Sequence, residues 1–173
     1  MRQQEDTYKN LFDTKAIEKI KELVDISSSC FFCTSIVTGK PFKTRPMVVQ
    51  KLDDNGTFWF LSNIDSFKTL EISEDFNVQL LFKGSDYSDF LNIYGTASIS
   101  NDKSKIHELW NPMLKTWFNE GVDDPKISVI KVIPTEGYYW DTKHNMAVGL
   151  IKRLAGAVLG KTIDDSVEGK LKI

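Results

Sequence analysis

Arg45, Ser62, Ser66 and Lys68 are the residues of this 173-residue chain whose types and spacing could do chemistry together. In Lys43-Thr44-Arg45-Pro46-Met47-Val48-Val49-Gln50-Lys51 a period-two alternation puts Arg45 on the apolar side, with Met47 and Val49. A guanidinium there calls for an anion. The following strand, Thr57 to Ser62, ends in a hydroxyl and runs through Asn63-Ile64-Asp65 into Ser66-Phe67-Lys68, where the pattern predicts a helix start. Free N–H groups at a helix start, a serine hydroxyl and an ammonium together make an anion site suited to phosphate. Taken singly, Arg45 reads equally well as a surface arginine on an edge strand, Ser66 as a helix cap and Lys68 as a solvated cation. Their order along the chain is what points to a phosphorylated cofactor.

The elements that must position them follow from periodicity. Asp13 is expected to cap a helix whose Ala16, Ile17, Ile20, Leu23 and Val24 form one apolar stripe. Strands are expected at about 29–37, 41–51 and 57–62 in an antiparallel meander, with Thr38-Gly39-Lys40 and Asp53-Asp54-Asn55-Gly56 as turns. A short helix near 66–73 precedes strands from Phe76 to Phe82 and from Tyr87 to Ser100, and Gly95 in the latter marks a bulge or bend. Asp102 caps a further helix, interrupted at Asn111-Pro112 and resumed through Met113, Leu114, Trp117 and Phe118. A last long strand from Lys126 to Trp140 is broken by Pro134. Many strands without βαβ alternation predict a mainly β fold, a β-barrel with peripheral helices. The chain is expected to be a single domain, 1–173, with the barrel and its helical insertions over about 14–142. A C-terminal helix is expected over about 143–160 and a flexible tail over 161–173.

Composition removes several function classes. A formal net charge of −2, from 22 basic and 24 acidic residues, leaves no electrostatic footprint for nucleic acid. Met1 to Asp6 lacks the apolar region of a signal peptide, and no run of about 18 apolar residues exists to span a bilayer. A cytoplasmic protein is expected, and the stretch 147–159 is expected to dock on the fold rather than on a membrane. Cys30 and Cys33 have the spacing of a redox pair but lie on a strand, where residues three apart face opposite ways, so they read as structural. His107 and His144 have no second ligand at metal spacing, and no metal site is expected.

The order Arg45-Pro46-Met47, then an aromatic strand ending Leu61-Ser62-Asn63, then Ser66-Phe67-Lys68 resembles the FMN-binding split β-barrel proteins related to pyridoxamine phosphate oxidase. Trp110-Asn111-Pro112, the run from Trp117 to Pro125 and Tyr138-Tyr139-Trp140-Asp141 resemble the bacterial general stress protein branch of that superfamily. The resemblance spans about residues 14–160. It implies an antiparallel, Greek-key split barrel in which Arg45, Ser66 and Lys68 hold the FMN phosphate. The backbone of Pro46 and Met47 would lie beside the isoalloxazine edge, and Ser62 would bond the flavin or its ribityl arm. It also implies a homodimer with two interfacial flavin sites, where Trp110 and Trp140 border the ring from the partner subunit. Two departures matter: many relatives carry a second basic residue where this chain has Phe67, and the histidine and arginine that bind substrate near the C-terminus of true pyridoxamine phosphate oxidases have no clear counterpart. Vitamin B6 oxidation is therefore disfavoured. The implied function is an FMN-binding oxidoreductase in which the flavin carries hydride or electron transfer, with NADH or NADPH as a transient reductant and no side chain as general acid or base. The alternatives are a non-catalytic flavin-binding or sensing protein, and a barrel holding a deazaflavin or haem, the latter needing His107 or His144 as axial ligand.

Overall fold

The computed structural model describes residues 7–37, 39–85, 88–142 and 166–173. In chain order the elements are β1 (Leu11–Phe12), α1 (Asp13–Ile26), β2 (Ser29–Thr34), β3 (Lys43–Val48), β4 (Lys51–Leu52), β5 (Phe58–Asn63), α2 (Phe67–Glu74), β6 (Asn77–Lys83), β7 (Phe90–Ser100), α3 (Lys103–Leu109), two 3-10 turns (Pro112–Thr116 and Gly121–Asp123), β8 (Ile127–Thr142) and β9 (Ser166–Lys172). The strands form one nine-stranded sheet with the path β1-β9-β8-β7-β6-β2-β3, while β5 pairs with both β4 and β8.

The mainly β expectation holds, with two corrections. The sheet is mixed rather than wholly antiparallel, because β1 runs parallel to β9. It also does not close into a barrel through a continuous ladder: β3 pairs with β2, and only after Val49-Gln50 does the same stretch of chain pair with β5, as β4. The continuous chain through Val49 and Gln50, rather than a ladder between β3 and β5, joins those two ends of the sheet.

Period-two burial fills the interior. Phe32, Phe58, Phe60, Leu80, Ile93, Ile130 and Val132 are fully buried in one cluster, which α1 seals with Ala16, Ile20, Leu23 and Val24. Phe32 and Phe60 meet edge to face with centroids 5.3 Å apart, the arrangement the ring quadrupoles favour. On the opposite face of β5 and β8, Leu61, Ile127 and Val129 pack against Ile106 and Leu109 of α3 and Leu114 and Phe118 beyond it. Both faces of that strand pair are therefore covered, which explains the almost unbroken apolar run in each.

Several local expectations changed. Asp13 lies in the first turn of α1 rather than capping it, with Phe12 at the cap position. Asp102 caps α3 as expected, accepting from the Ser104 and Lys105 N–H groups. Pro134 does not break β8: the register slips between Tyr94 and Gly95, Gly95 faces Pro134 while Tyr94 faces Glu136, and the extra residue is absorbed as a bulge. Glycine is required there, since a Cβ at position 95 would stand 2.4 Å from the Ile133 carbonyl oxygen. The flexible tail expected over 161–173 is corrected over 166–172, which forms β9 along the edge of β8. The helix expected at 143–160 lies outside the described residues, as does His144. Cys30 and Cys33 are buried free thiols, and burial pushes the Cys30 thiol up to about 12, far from a reactive thiolate.

Candidate functional site

The site forms where the β2–β3 hairpin meets the β5–α2 turn. Arg45 is directly opposite Phe32 on β2, midway along both strands, and so shares the interior-facing side of the sheet with it. A bare guanidinium at such a place would be costly, and the protein itself supplies a counter-ion. Glu71, on α2, is only 4% exposed, and its Oε2 accepts from Arg45 Nη2 at 2.6 Å. Arg45 Nη1 donates to Thr34 Oγ1 at 2.7 Å, and Thr34 in turn donates to the same Glu71 oxygen, closing a buried triangle. The other carboxylate oxygen, Oε1, lies 3.2 Å from Lys43 Nζ. Burial opposes ionisation of Glu71, but the hydrogen bonds from Thr34, Arg45 and Lys43 prevail and hold its carboxyl below the usual glutamate value.

Lys68 is the opposite case. It lies one turn before Glu71 on α2, half-buried, and its Nζ donates to the buried Ser62 Oγ at 2.8 Å. It makes no ion pair among the described residues. Burial pushes its ammonium below the ordinary lysine value and the nearby Arg45 charge pushes the same way, with Glu71 only partly offsetting them. Ser62 is fixed from below by the Ser128 hydroxyl, which donates to its carbonyl at 3.1 Å, and its Oγ lies 3.5 Å from Ser66 Oγ. Ser66 is the N-cap residue of α2, yet its side chain does not cap; it faces Thr69 Oγ1 at 3.1 Å. The first N–H groups of the helix are thus left without a side-chain acceptor.

Two hydroxyls free to turn their protons outward, a half-buried ammonium without an ion-pair partner among the described residues, an uncapped helix start and a partly neutralised guanidinium can all donate to an anion, and they suit a phosphate monoester. The structure thus brings Arg45, Ser62, Ser66 and Lys68 together. Pro46, exposed, and Met47, half-buried against the core, flank Arg45 on the terminal strand of the sheet path. Trp140 is not part of this cluster: it stands twelve residues beyond Ser128, the β8 partner of Ser62, roughly 40 Å of strand at about 3.3 Å per residue. There its ring lies tilted against Tyr138 with centroids 4.5 Å apart. Trp110 packs against the α3 cluster, tilted on Phe118. Phe67 is 84% exposed and gives the site no charge.

Glu71, Thr34 and Lys43 were not singled out by sequence reasoning. Their signals were present: Lys43 shares the Arg45 face two residues away, and Glu71 lies at i+3 from Lys68 on one helix face. The hairpin expected around Thr38-Gly39-Lys40 already sets Thr34 opposite the Lys43–Arg45 stretch, as the Thr34–Lys43 pairing bears out; nothing local indicated that α2 would bring Glu71 to the same point.

Fold and site together define a mainly β protein in which two cations and two serine hydroxyls gather between the β2–β3 hairpin and α2. The sequence model described as pyridoxamine 5'-phosphate oxidase like matches residues 15–164, and the chain belongs to that family. Protein bli-3 of Neurospora crassa is 30% identical over 159 residues, covering 83% of this chain and 75% of that protein. A solved structure described as a general stress protein 26 from Jannaschia sp. CCS1 superposes with a TM-score of 0.71 at 22% identity, covering 91% of this chain and 96% of the other. The general stress FMN/FAD binding protein of Xanthomonas citri gives 0.58 at 23% identity over 70% and 85% of the two chains. At those identities the two structures establish the fold. Among the described residues no helix is long and apolar enough to cross a membrane, and no group of three or more potential ligands gathers around a metal position.

Proposed function

We propose that this chain binds FMN through its phosphate and works as a flavin-dependent oxidoreductase of the general stress protein type. The observation that carries the reading is Lys68: a half-buried ammonium with a hydroxyl as its hydrogen-bond partner, pressed toward a second cation, beside an uncapped helix start. Such a lysine is expensive to keep unless an anion completes it. Arg45, Ser62, Ser66 and Lys68 would hold the phosphate, and the strand carrying Pro46 and Met47 would present its backbone to the ring. A bound flavin would supply hydride or electron transfer at its ring, with NADH or NADPH as a reductant that visits rather than resides. The protein's part is to fix the phosphate and orient the ring. Trp140 lies too far along β8 to serve the cradle of its own chain, so its role belongs to a homodimer in which it borders the flavin of the partner subunit. The name of the Xanthomonas citri relative, an FMN/FAD binding protein, supports the choice of cofactor.

The visible spectrum of the purified protein, with and without added FMN, tests the binding. A flavin spectrum lost on replacing Arg45 and Lys68 together by alanine is expected, and undiminished affinity in that double variant would reject the site. Anaerobic addition of NADH or NADPH to loaded protein separates enzyme from carrier: bleaching supports turnover, whereas loaded protein that neither nucleotide bleaches favours a flavin-binding or sensing module.

A further inference from the structure

We propose that Lys43 is a third cation of the phosphate cradle, and that Glu71 is the counter-ion it shares with Arg45, so that the cradle is matched in charge to a phosphomonoester dianion. This rests on the reading of the site as a phosphate cradle. Two cations, Lys43 and Arg45, converge on the single carboxylate of Glu71, one at each oxygen. One negative charge cannot neutralise both, so a surplus positive charge remains on β3 even before Lys68 is added. With Lys68, three cations face one carboxylate, a net charge of +2. A phosphate monoester carries about −1.5 to −2 at pH 7, which closes the balance.

Geometry supports the same assignment. Lys43 and Arg45 are two apart on one strand and so project on one side, while Glu71 and Lys68 occupy one face of α2. Phe67, the residue between Ser66 and Lys68, is uncharged and points into solvent, so α2 provides a single cation and β3 provides the rest. The Lys43 side chain is 59% exposed and its ammonium reaches a carboxylate that is itself almost fully buried, which places it at the rim of the site. A lysine of this kind can turn from Glu71 to a bound phosphate by rotating its last bonds, leaving Arg45 and Thr34 to satisfy the carboxylate.

The test compares dissociation constants of FMN and riboflavin for the full chain, since their ratio isolates the phosphate. Lys43→Met is expected to reduce the preference for FMN about five- to tenfold, the scale of one partly exposed charge-assisted hydrogen bond, while riboflavin binding is unchanged. Lys43→Arg should restore most of that preference. Glu71→Gln keeps an oxygen acceptor for Arg45 and Thr34 but removes the opposing charge, and should tighten FMN about three- to tenfold with a steeper dependence on salt. An unchanged FMN-to-riboflavin ratio in Lys43→Met overturns the role of Lys43, and weaker FMN binding in a folded Glu71→Gln variant overturns the charge matching. Wild-type protein that binds riboflavin as tightly as FMN would sink the phosphate reading itself and this inference with it. A wild-type preference that Arg45→Met abolishes and Lys43→Met leaves intact would sink this inference alone.

Discussion

Replacing Lys68 by methionine should move ligand affinity and stability in different directions. The methionine keeps most of the apolar stem and deletes the ammonium. In the ligand-free protein that ammonium has one hydrogen-bonded partner, Ser62 Oγ at 2.8 Å, and it is opposed by burial and by Arg45. The lost hydrogen bond and the relieved desolvation and repulsion are of similar size, so unfolding free energy should change by no more than about 1 kcal/mol, toward greater stability. The FMN phosphate, in contrast, loses a charge-assisted hydrogen bond of about 1.5–3 kcal/mol. Each 1.4 kcal/mol is a factor of ten, so the dissociation constant should rise roughly 10- to 150-fold. Urea unfolding of the ligand-free protein gives the first quantity, and quenching of flavin fluorescence gives the second, with riboflavin as the control that should not respond. A variant that binds FMN like the wild type but loses several kcal/mol of stability would show that Lys68 is a structural cation, and the reasoning built on its missing counter-ion would be refuted.

Other consequences are as direct. Because the folded Lys68 loses its proton below the ordinary lysine value of 10.5, FMN affinity should decline on the alkaline side before that pH; a profile flat to pH 10.5 in titrations from pH 7 upward would contradict it. Glu71 is depressed below 4.5, so its ionisation adds stability in full above the unfolded value and loses it as pH falls through the lower folded value; Glu71→Gln should flatten that part of the acid-unfolding curve measured by circular dichroism. Gly95→Ala should cost about 2–4 kcal/mol in urea unfolding, because its Cβ would collide with the Ile133 carbonyl oxygen at the bulge and force backbone to move. Phe32→Ala, at a fully buried ring packed on Phe60, should cost about 3–5 kcal/mol by the same measurement.

The sequence by itself determined most of the strands, the helix α1 and its buried stripe, the Asp102 cap and the irregularity at Gly95, because periods of two and 3.6 and the demands of caps and bulges are local properties. It also determined that Arg45 sits on an apolar face beside a serine and lysine in the order of a phosphate site. The tertiary structure alone decided what satisfies that arginine. Thr34 comes to it across a local hairpin, but Glu71 is 26 residues away and ordinary in type, and only the approach of α2 to β3 turns it into the partner of Arg45. The last strand is a different case: Val167, Gly169, Leu171 and Ile173 alternate with Glu168, Lys170 and Lys172, a local strand signal, but which edges it joins, β8 on one side and the parallel β1 on the other, only the tertiary structure decided. Local patterns fix which face a residue takes, but burial of a charge is a contract between distant segments, and it is settled only when they meet.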